Sequence, residues 1–287
     1  MAITGLTRAV PRLDAGELRA AWAIARKELL IARRYPLQLV NEVLQPLYQF
    51  LLPSLLLGTT FLVAGRAIGL EQVTGTGDLA GYLFLGMVVG GLVGTAFWEM
   101  AFGLKREMDA GTLEPAWLTP TRPETLVLGR AVSGLIVSGA ASVVLVLIGL
   151  AVFGASVAGG VLVALPALVL GALSMIGVGY LVAAVVLLIR EPNFFVDATN
   201  FLFAMVSGVA FPVLVLPWFI QPVAYALPTT YAVDLLRVHA LGTRPLVDPA
   251  LEWVALVVSA VALTWLGRLA FLRTERHMRV AGTLGQH

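Results

Sequence analysis

The chain has 287 residues, of which 59% are hydrophobic and only 13% are charged, and its mean hydropathy is +0.91. Soluble domains carry about 25% charged residues, so the composition excludes an ordinary water-soluble protein and predicts membrane-spanning helices. The chain has no cysteine, which excludes disulfides and thiolate metal sites. Its basic residues flank apolar runs and do not alternate with aromatic residues, which argues against a nucleic-acid partner.

The N-terminal part, residues 1–36, is predicted to be a cytoplasmic tail that contains an amphipathic helix. Residues 17–34 place apolar side chains on one stripe and most of the basic side chains off it. Such a basic helix with a tryptophan is typical of the membrane interface, and the alternative is a soluble tail helix. The predicted stripe consists of Leu18, Trp22, Ala25, Leu29 and Ala32.

Six transmembrane helices are predicted within residues 37–272, followed by a cytoplasmic tail at 273–287. With the N-terminus in the cytoplasm, sixteen of the 19 lysines and arginines lie on the cytoplasmic side. The positive-inside rule therefore places both termini in the cytoplasm. The predicted spans are 37–64, 80–104, 130–153, 160–189, 193–213 and 251–272.

A cytoplasmic segment at residues 105–125 interrupts the apolar runs. Span two is predicted to end at Gly111, and Thr112 is predicted to cap a short helix that contains Leu113 and Trp117. The TRPE sequence at 121–124 has the spacing of a capping box that starts the next span. Apolar side chains in a cytoplasmic loop need a cover, and we expect a partner to provide it. The alternative is an ordinary connecting loop with good caps.

A second unusual segment, residues 207–242, stays apolar but contains four prolines. The residue before a proline avoids the helical conformation, so each proline predicts a break in the backbone. An apolar segment broken repeatedly is expected to dip into the outer leaflet as short re-entrant helices, at residues 212–240. The four prolines are Pro212, Pro217, Pro222 and Pro228.

Several polar side chains lie inside the predicted spans, where a charged group is costly. They are Glu42, Gln45 and Gln49 on one face of span one, Glu99 in span two, and Asp197 and Asn200 in span five. One interpretation is a substrate path lined by these residues. The other is hydrogen bonding between helices near the cytoplasmic interface, because most of them lie close to span ends.

These two segments together resemble the signatures of ABC-2-type transporter permeases, most closely those of bacterial drug and polysaccharide exporters. In the cytoplasmic segment the matching residues are Glu107, Gly111, Thr112, Leu113, Glu114, Thr119, Pro120, Gly129 and Arg130. In the outer segment they are Ser207, Gly208, Phe211, Pro212, Leu216, Pro217, Gln221, Pro222, Pro228 and Tyr231. The resemblance covers nearly the whole chain.

The resemblance implies an all-α polytopic membrane protein with six spans, an interfacial helix, a cytoplasmic coupling helix and extracellular re-entrant helices. It implies a permease of the bacterial inner membrane that exports an amphipathic or hydrophobic substrate, such as a drug, a lipid or a lipid-linked glycan. A second permease copy and two separate ATP-binding subunits complete the transporter. The implied coupling residues are Glu107, Gly111, Thr112, Leu113, Glu114 and Trp117; the implied outer gate consists of Phe211, Pro212, Pro217, Gln221, Pro222, Pro228 and Tyr231.

The energy source is expected to lie on another chain. Only Lys27 and Lys105 are lysines, and neither belongs to the Gly-Lys-Ser/Thr of a P-loop. ATP and Mg are thus expected on the partner, with no cofactor here. A membrane enzyme is disfavoured, because the three histidines show no metal-ligand spacing. The alternative function is a stand-alone secondary transporter, although its repeated halves and central acid are not evident.

Overall fold

The computed structural model describes residues 14–52, 62–63, 66–154, 160–189 and 192–281. This part of the chain is mainly helical, and its connecting segments include one antiparallel pair, β1 (Leu62–Val63) and β2 (Arg66–Ala67). Its helices are α1 (Ala15–Arg34), α2 (Pro36–Pro46), α3 (Ile68–Thr74), α4 (Leu79–Asp109), α5 (Leu113–Trp117), α6 (Pro123–Val152), α7 (Val161–Val186), α8 (Asn193–Val206), α9 (Gln221–Ala226), α10 (Pro228–Leu241) and α11 (Pro249–Ala281). The all-α polytopic fold class is confirmed.

Four helices of the described chain, α4, α6, α7 and α11, are long and apolar enough to cross a membrane. The fifth predicted span corresponds to α8, whose 14 residues reach about 21 Å, short of a ~30 Å hydrocarbon core. The first corresponds to α2 and a π-helical turn, Leu47–Leu51. Residues 53–61, in the second half of that span, are outside the described residues. The count of six therefore remains a prediction.

Glycines set the closest contacts between the long helices. In α7, a Cβ atom added at Gly177 would lie 2.3 Å from the carbonyl carbon of Leu263 in α11. In α11, a Cβ atom at Gly267 would lie 2.1 Å from the carbonyl oxygen of Gly177. Close backbone approach of this kind is how membrane helices pack in the absence of a hydrophobic driving force. The contacts advance together along both helices, from Leu173 with Thr264 to Tyr180 with Phe271, so α7 and α11 are parallel and form one side of the helix bundle.

Helix α4 lies at the centre of the bundle, and its apolar residues occur around its whole circumference. Such a helix must be buried on all sides. Its middle part, Thr95–Phe102, is π-helical, and Phe97 and Met100 there are fully buried. At Gly86 a Cβ atom would lie 2.0 Å from the carbonyl oxygen of Val209, so this glycine packs against the segment that follows α8.

Helix α1 packs along α6 through a face that only partly coincides with the predicted apolar stripe. Ala21 and Ala25 are buried, whereas Leu18 and Trp22 are each 55% exposed. At Gly129 in α6, a Cβ atom would lie 2.7 Å from the Cβ atom of Ile24 and 2.8 Å from the carbonyl oxygen of Ala21. Ala21, Ile24 and Ala25 therefore face α6, whereas Leu18 and Trp22 face outward. Their position in a membrane interface remains a prediction.

Candidate functional site

The cytoplasmic segment (residues 105–125) has the helix, turn and short helix that its sequence predicts. Helix α4 ends at Asp109, and Gly111 adopts a φ of +66°, a conformation that glycine adopts readily. Both the amide and the hydroxyl of Thr112 donate to the carbonyl oxygen of Glu107, at 3.0 and 3.3 Å. Helix α5 follows at once, so the segment is a compact knob at the end of α4.

The chain itself covers the two apolar residues of this knob, which corrects the expectation that a partner does so. Leu113 and Trp117 are only 4% and 5% exposed and pack with residues of α4, α6, α7 and α11, including Phe271. The Arg279 guanidinium lies 5.7 Å from the centre of the Trp117 ring. What the knob presents outward is Leu118, which is 83% exposed. Glu114 lies in α5, but its side chain is outside the described part.

An ion-pair cluster fastens the knob to the bundle. The Nη2 atom of Arg130 donates to the Oε1 atom of Glu107 at 2.5 Å and lies 3.5 Å from a carboxylate oxygen of Glu28. Arg130 itself is buried beneath Gly103, where a Cβ atom would lie 2.7 Å from its guanidinium. The carboxylate of Glu107 therefore faces the protein interior, and its Oε2 atom is buried without a hydrogen-bond partner in the described chain.

The predicted capping box at 121–124 is wrong. Helix α6 begins at Pro123, its N-cap residue is Arg122, and no side chain caps it. Because a proline pushes the preceding residue into an extended conformation, the start of the helix moves one position beyond Thr121. Glu124 is instead fully buried, and the two nitrogens of Arg268 donate to its carboxylate at 2.5 and 2.9 Å. This pair joins the start of α6 to α11.

A cavity of about 480 Å³ lies between α1, α2, α4, α6 and α8. Its lining extends along α6 from Ser133 to Leu145, about 18 Å at 1.5 Å per residue. The π-helical stretch of α4 turns Thr95, Trp98 and Glu99 toward it. Interruptions of this kind are frequent at functional sites. The cavity is thus a mixed apolar and polar chamber alongside the middle of α4 and α6.

Four of the six polar residues noted within the predicted spans line this cavity: Glu42, Gln45, Glu99 and Asn200. Asp197 is exposed and does not line it, and the side chain of Gln49 is outside the described residues. Sequence reasoning missed two hydroxyls of α6, Ser138 and Ser142, which also line the cavity. Their spacing of four residues on one helical face was the available signal.

The outer segment breaks at its prolines as predicted. Pro212 precedes a 3-10 turn, Pro222 stands in the first turn of α9, and Pro228 begins α10. The other signature residues hold the pieces together: Gln221 donates to the carbonyl of Leu216 at 2.9 Å. Tyr231 donates from α10 to the carbonyl of Tyr225 at 2.6 Å. Phe211 and Pro217 lie between these elements. Insertion into a membrane remains a prediction.

A buried arginine joins the outer segment to the end of α4 that lies opposite the knob. Arg237 is 2% exposed, and its guanidinium donates to the carbonyl oxygens of Tyr82, Gly208 and Val209 at 2.7 to 3.1 Å. It also lies 3.4 Å from the centre of the Tyr82 ring. A planar guanidinium can satisfy several carbonyls at once. Arg237 therefore links α10, α4 and the backbone after α8.

The architecture defines a polytopic helical membrane subunit with a knob at one end of α4, a chamber between the helices and a proline-broken segment at the other end of α4. The family model of the ABC-2 type transporter matches residues 19–241, and the chain belongs to this family. It is thus a permease component of an ABC transporter, a membrane transport component rather than a catalytic one, and its family associates with an ABC ATPase subunit. A comparison with curated proteins finds no match.

Proposed function

We propose that this chain forms the translocation path of an ATP-driven exporter of the bacterial inner membrane. Two copies pair, two separate ATPase subunits bind ATP and Mg, and the cargo is an amphipathic or hydrophobic compound. Both termini lie in the cytoplasm. Glu42, Gln45 and Asn200 belong to the path, and the outer segment is the gate through which cargo leaves. Export as the direction of transport follows the resemblance to exporter permeases.

The observation that carries the proposal is the shape of the knob. Its buried side chains fix it to the bundle, while Leu118 stands 83% exposed at its tip beside the exposed Thr119 and Pro120. A large apolar side chain held in this way on a rigid support is suited to a pocket on a partner. Membership of the family supplies the identity of that partner, an ABC ATPase.

Helix α4 offers a mechanical route for coupling. It is continuous from Leu79 to Asp109, carries the knob at one end, lines the cavity in its middle and accepts the Arg237 hydrogen bonds at Tyr82 near its other end. When the ATPases close on ATP, they push the knob, and α4 moves with it. A shift of α4 changes the cavity and the outer segment together. Alternating exposure of the cavity follows from that motion.

The direct test is to place a charge on the tip of the knob. In the complex with its ATPase, Leu118→Glu puts a carboxylate into an apolar contact, so we expect the ATPase to be lost on purification in mild detergent. The truncation of one well-packed interface residue typically weakens binding by about tenfold or more. The measurement is the molar ratio of ATPase to permease after affinity purification.

The control is Leu162→Glu, which places the same charge on an aliphatic residue that is 75% exposed at the other end of the bundle. It should leave the ATPase ratio at the native value. If the native chain and Leu118→Glu are both correctly inserted and recover the same amount of ATPase, the knob does not bind the ATPase through this residue.

A further inference from the structure

The cavity carries a charge imbalance that indicates the chemistry of its ligand. Among the described residues, its ionisable lining consists of Glu28, Glu42, Glu99 and Arg106. Glu28 is satisfied outside the cavity by Lys27 and Arg130, at 2.9 and 3.5 Å. The remaining groups are two carboxylates and a single arginine that is half exposed.

The arginine does not balance the two carboxylates. Arg106 approaches Glu99 at 3.8 Å, beyond the length of a direct hydrogen bond. Glu42 makes no hydrogen bond or ion pair with any other described residue, and it lines the same cavity as Glu99. Burial and a like charge both disfavour the charged form of a carboxylate, and a cation bound between the two carboxylates offsets that cost.

The remaining walls favour an organic cation over a metal ion. Trp98 is 37% exposed, lines the cavity beside Phe102, and offers a tryptophan ring, the best partner for cation–π contact. Further along α4 and α6, the lining includes Met87 and Leu145, which are apolar. A ligand with a positive group near Glu42 and an apolar body toward Met87 matches the entire chamber.

We propose that the cargo is an amphipathic organic cation and that Glu42, with Glu99 and Trp98, binds its positive group. This inference rests on the proposed transport function and specifies its substrate class. Gln45, Ser138 and Ser142 supply neutral hydrogen bonds to the polar part of the ligand, while the apolar wall holds the rest.

The test uses two ions of nearly equal size and opposite charge, tetraphenylphosphonium and tetraphenylborate. The purified full chain is reconstituted in nanodiscs of zwitterionic lipid, and binding is measured by equilibrium dialysis against empty nanodiscs. We expect saturable binding of the cation and a preference for it over the anion. Glu42→Gln keeps the side-chain shape and removes the charge, so it should weaken cation binding about tenfold or more without weakening anion binding.

Glu42→Lys reverses the charge and should invert the preference, so that the anion binds more tightly than to the native chain. This gain of binding cannot arise from misfolding. The matched control is Glu71→Gln in α3, near the Leu79 end of α4. This variant should change the binding of neither ion. The proposal is overturned if the native chain does not bind the cation, or if Glu42→Gln leaves cation binding unchanged. It is also overturned if Glu42→Gln weakens the binding of both ions equally. None of these measurements needs an ATPase, so they are independent of the Leu118→Glu test.

Discussion

At the scale of single residues, the most informative contact is the one between Arg130 and Glu107. Both belong to the motif by which the sequence resembles ABC-2 permeases, but their separation of 23 residues gave no indication that they pair. The structure brings the guanidinium within 2.5 Å of the carboxylate because α6 returns antiparallel to α4. The arginine fixes the knob from the inside, which explains why Glu107 faces the interior rather than an ATPase.

Arg130→Met is therefore expected to destabilise the protein. It leaves the Glu107 carboxylate buried with no cation, and removal of one partner from a buried pair costs about 3–5 kcal/mol. The measurement is the free energy of unfolding in mixed micelles titrated with SDS. Because a neutral pair buries no charge, the double variant Arg130→Met, Glu107→Met should recover most of the loss.

The control for this cycle is Arg276→Met, which makes the same substitution at an exposed arginine of α11. Surface substitutions usually change stability by no more than about 0.5 kcal/mol, so the variant should unfold almost like the native chain. If the double variant is as unstable as Arg130→Met alone, the loss comes from packing of the long side chain and not from an isolated charge.

At the scale of elements, sequence reasoning found the helices well and their contacts poorly. The turn at Gly111 and the breaks at the prolines were predictable, because glycine and proline act through their own backbone. The same backbone rule explains why the predicted capping box is wrong, because Pro123 sets the start of α6. The contacts between helices were not predictable, since they depend on residues far away in the sequence: Glu124 pairs with Arg268, 144 residues away, and Ala21 and Ile24 of α1 pack on Gly129.

The substitution Trp117→Ala tests helix α5 as an element. Because Trp117 is buried by its own chain, we expect the variant to loosen the knob, lowering the free energy of unfolding by about 3–5 kcal/mol. Hydrogen exchange should accelerate at the amides of residues 112–118. Trp117→Phe should behave more mildly, since the indole Nε1 atom has no partner in the described chain. Native exchange rates in Trp117→Ala would mean that the indole does not hold α5 in place.

At the scale of the whole molecule, the bundle has two ends that the structure separates clearly. Arg268 of α11 binds Glu124 at the start of α6, so α6 and α11 run antiparallel. From Pro249 to Arg268 the helix rises about 28 Å, close to the thickness of a hydrocarbon core. The exposed loop residues Pro120 and Pro245, which precede α6 and α11, therefore lie at opposite ends. The positive-inside rule assigns Pro120 to the cytoplasm.

Cysteine labelling tests this orientation, and the absence of native cysteines leaves no background. In intact cells, a membrane-impermeant maleimide should label Pro245→Cys, whereas Pro120→Cys should react only after permeabilisation.

The result also decides the role of α8, which is too short to span a bilayer alone. Helices α6 and α7 cross the membrane between Pro120 and α8, which returns the chain to the face where Pro120 lies. If Pro120→Cys and Pro245→Cys are labelled on opposite faces, the chain must therefore cross once more, through α8 and the residues up to Pro212. Labels on the same face would instead mean that α8 does not cross, and that the contact of Arg237 with Tyr82 does not mark the outer end of α4.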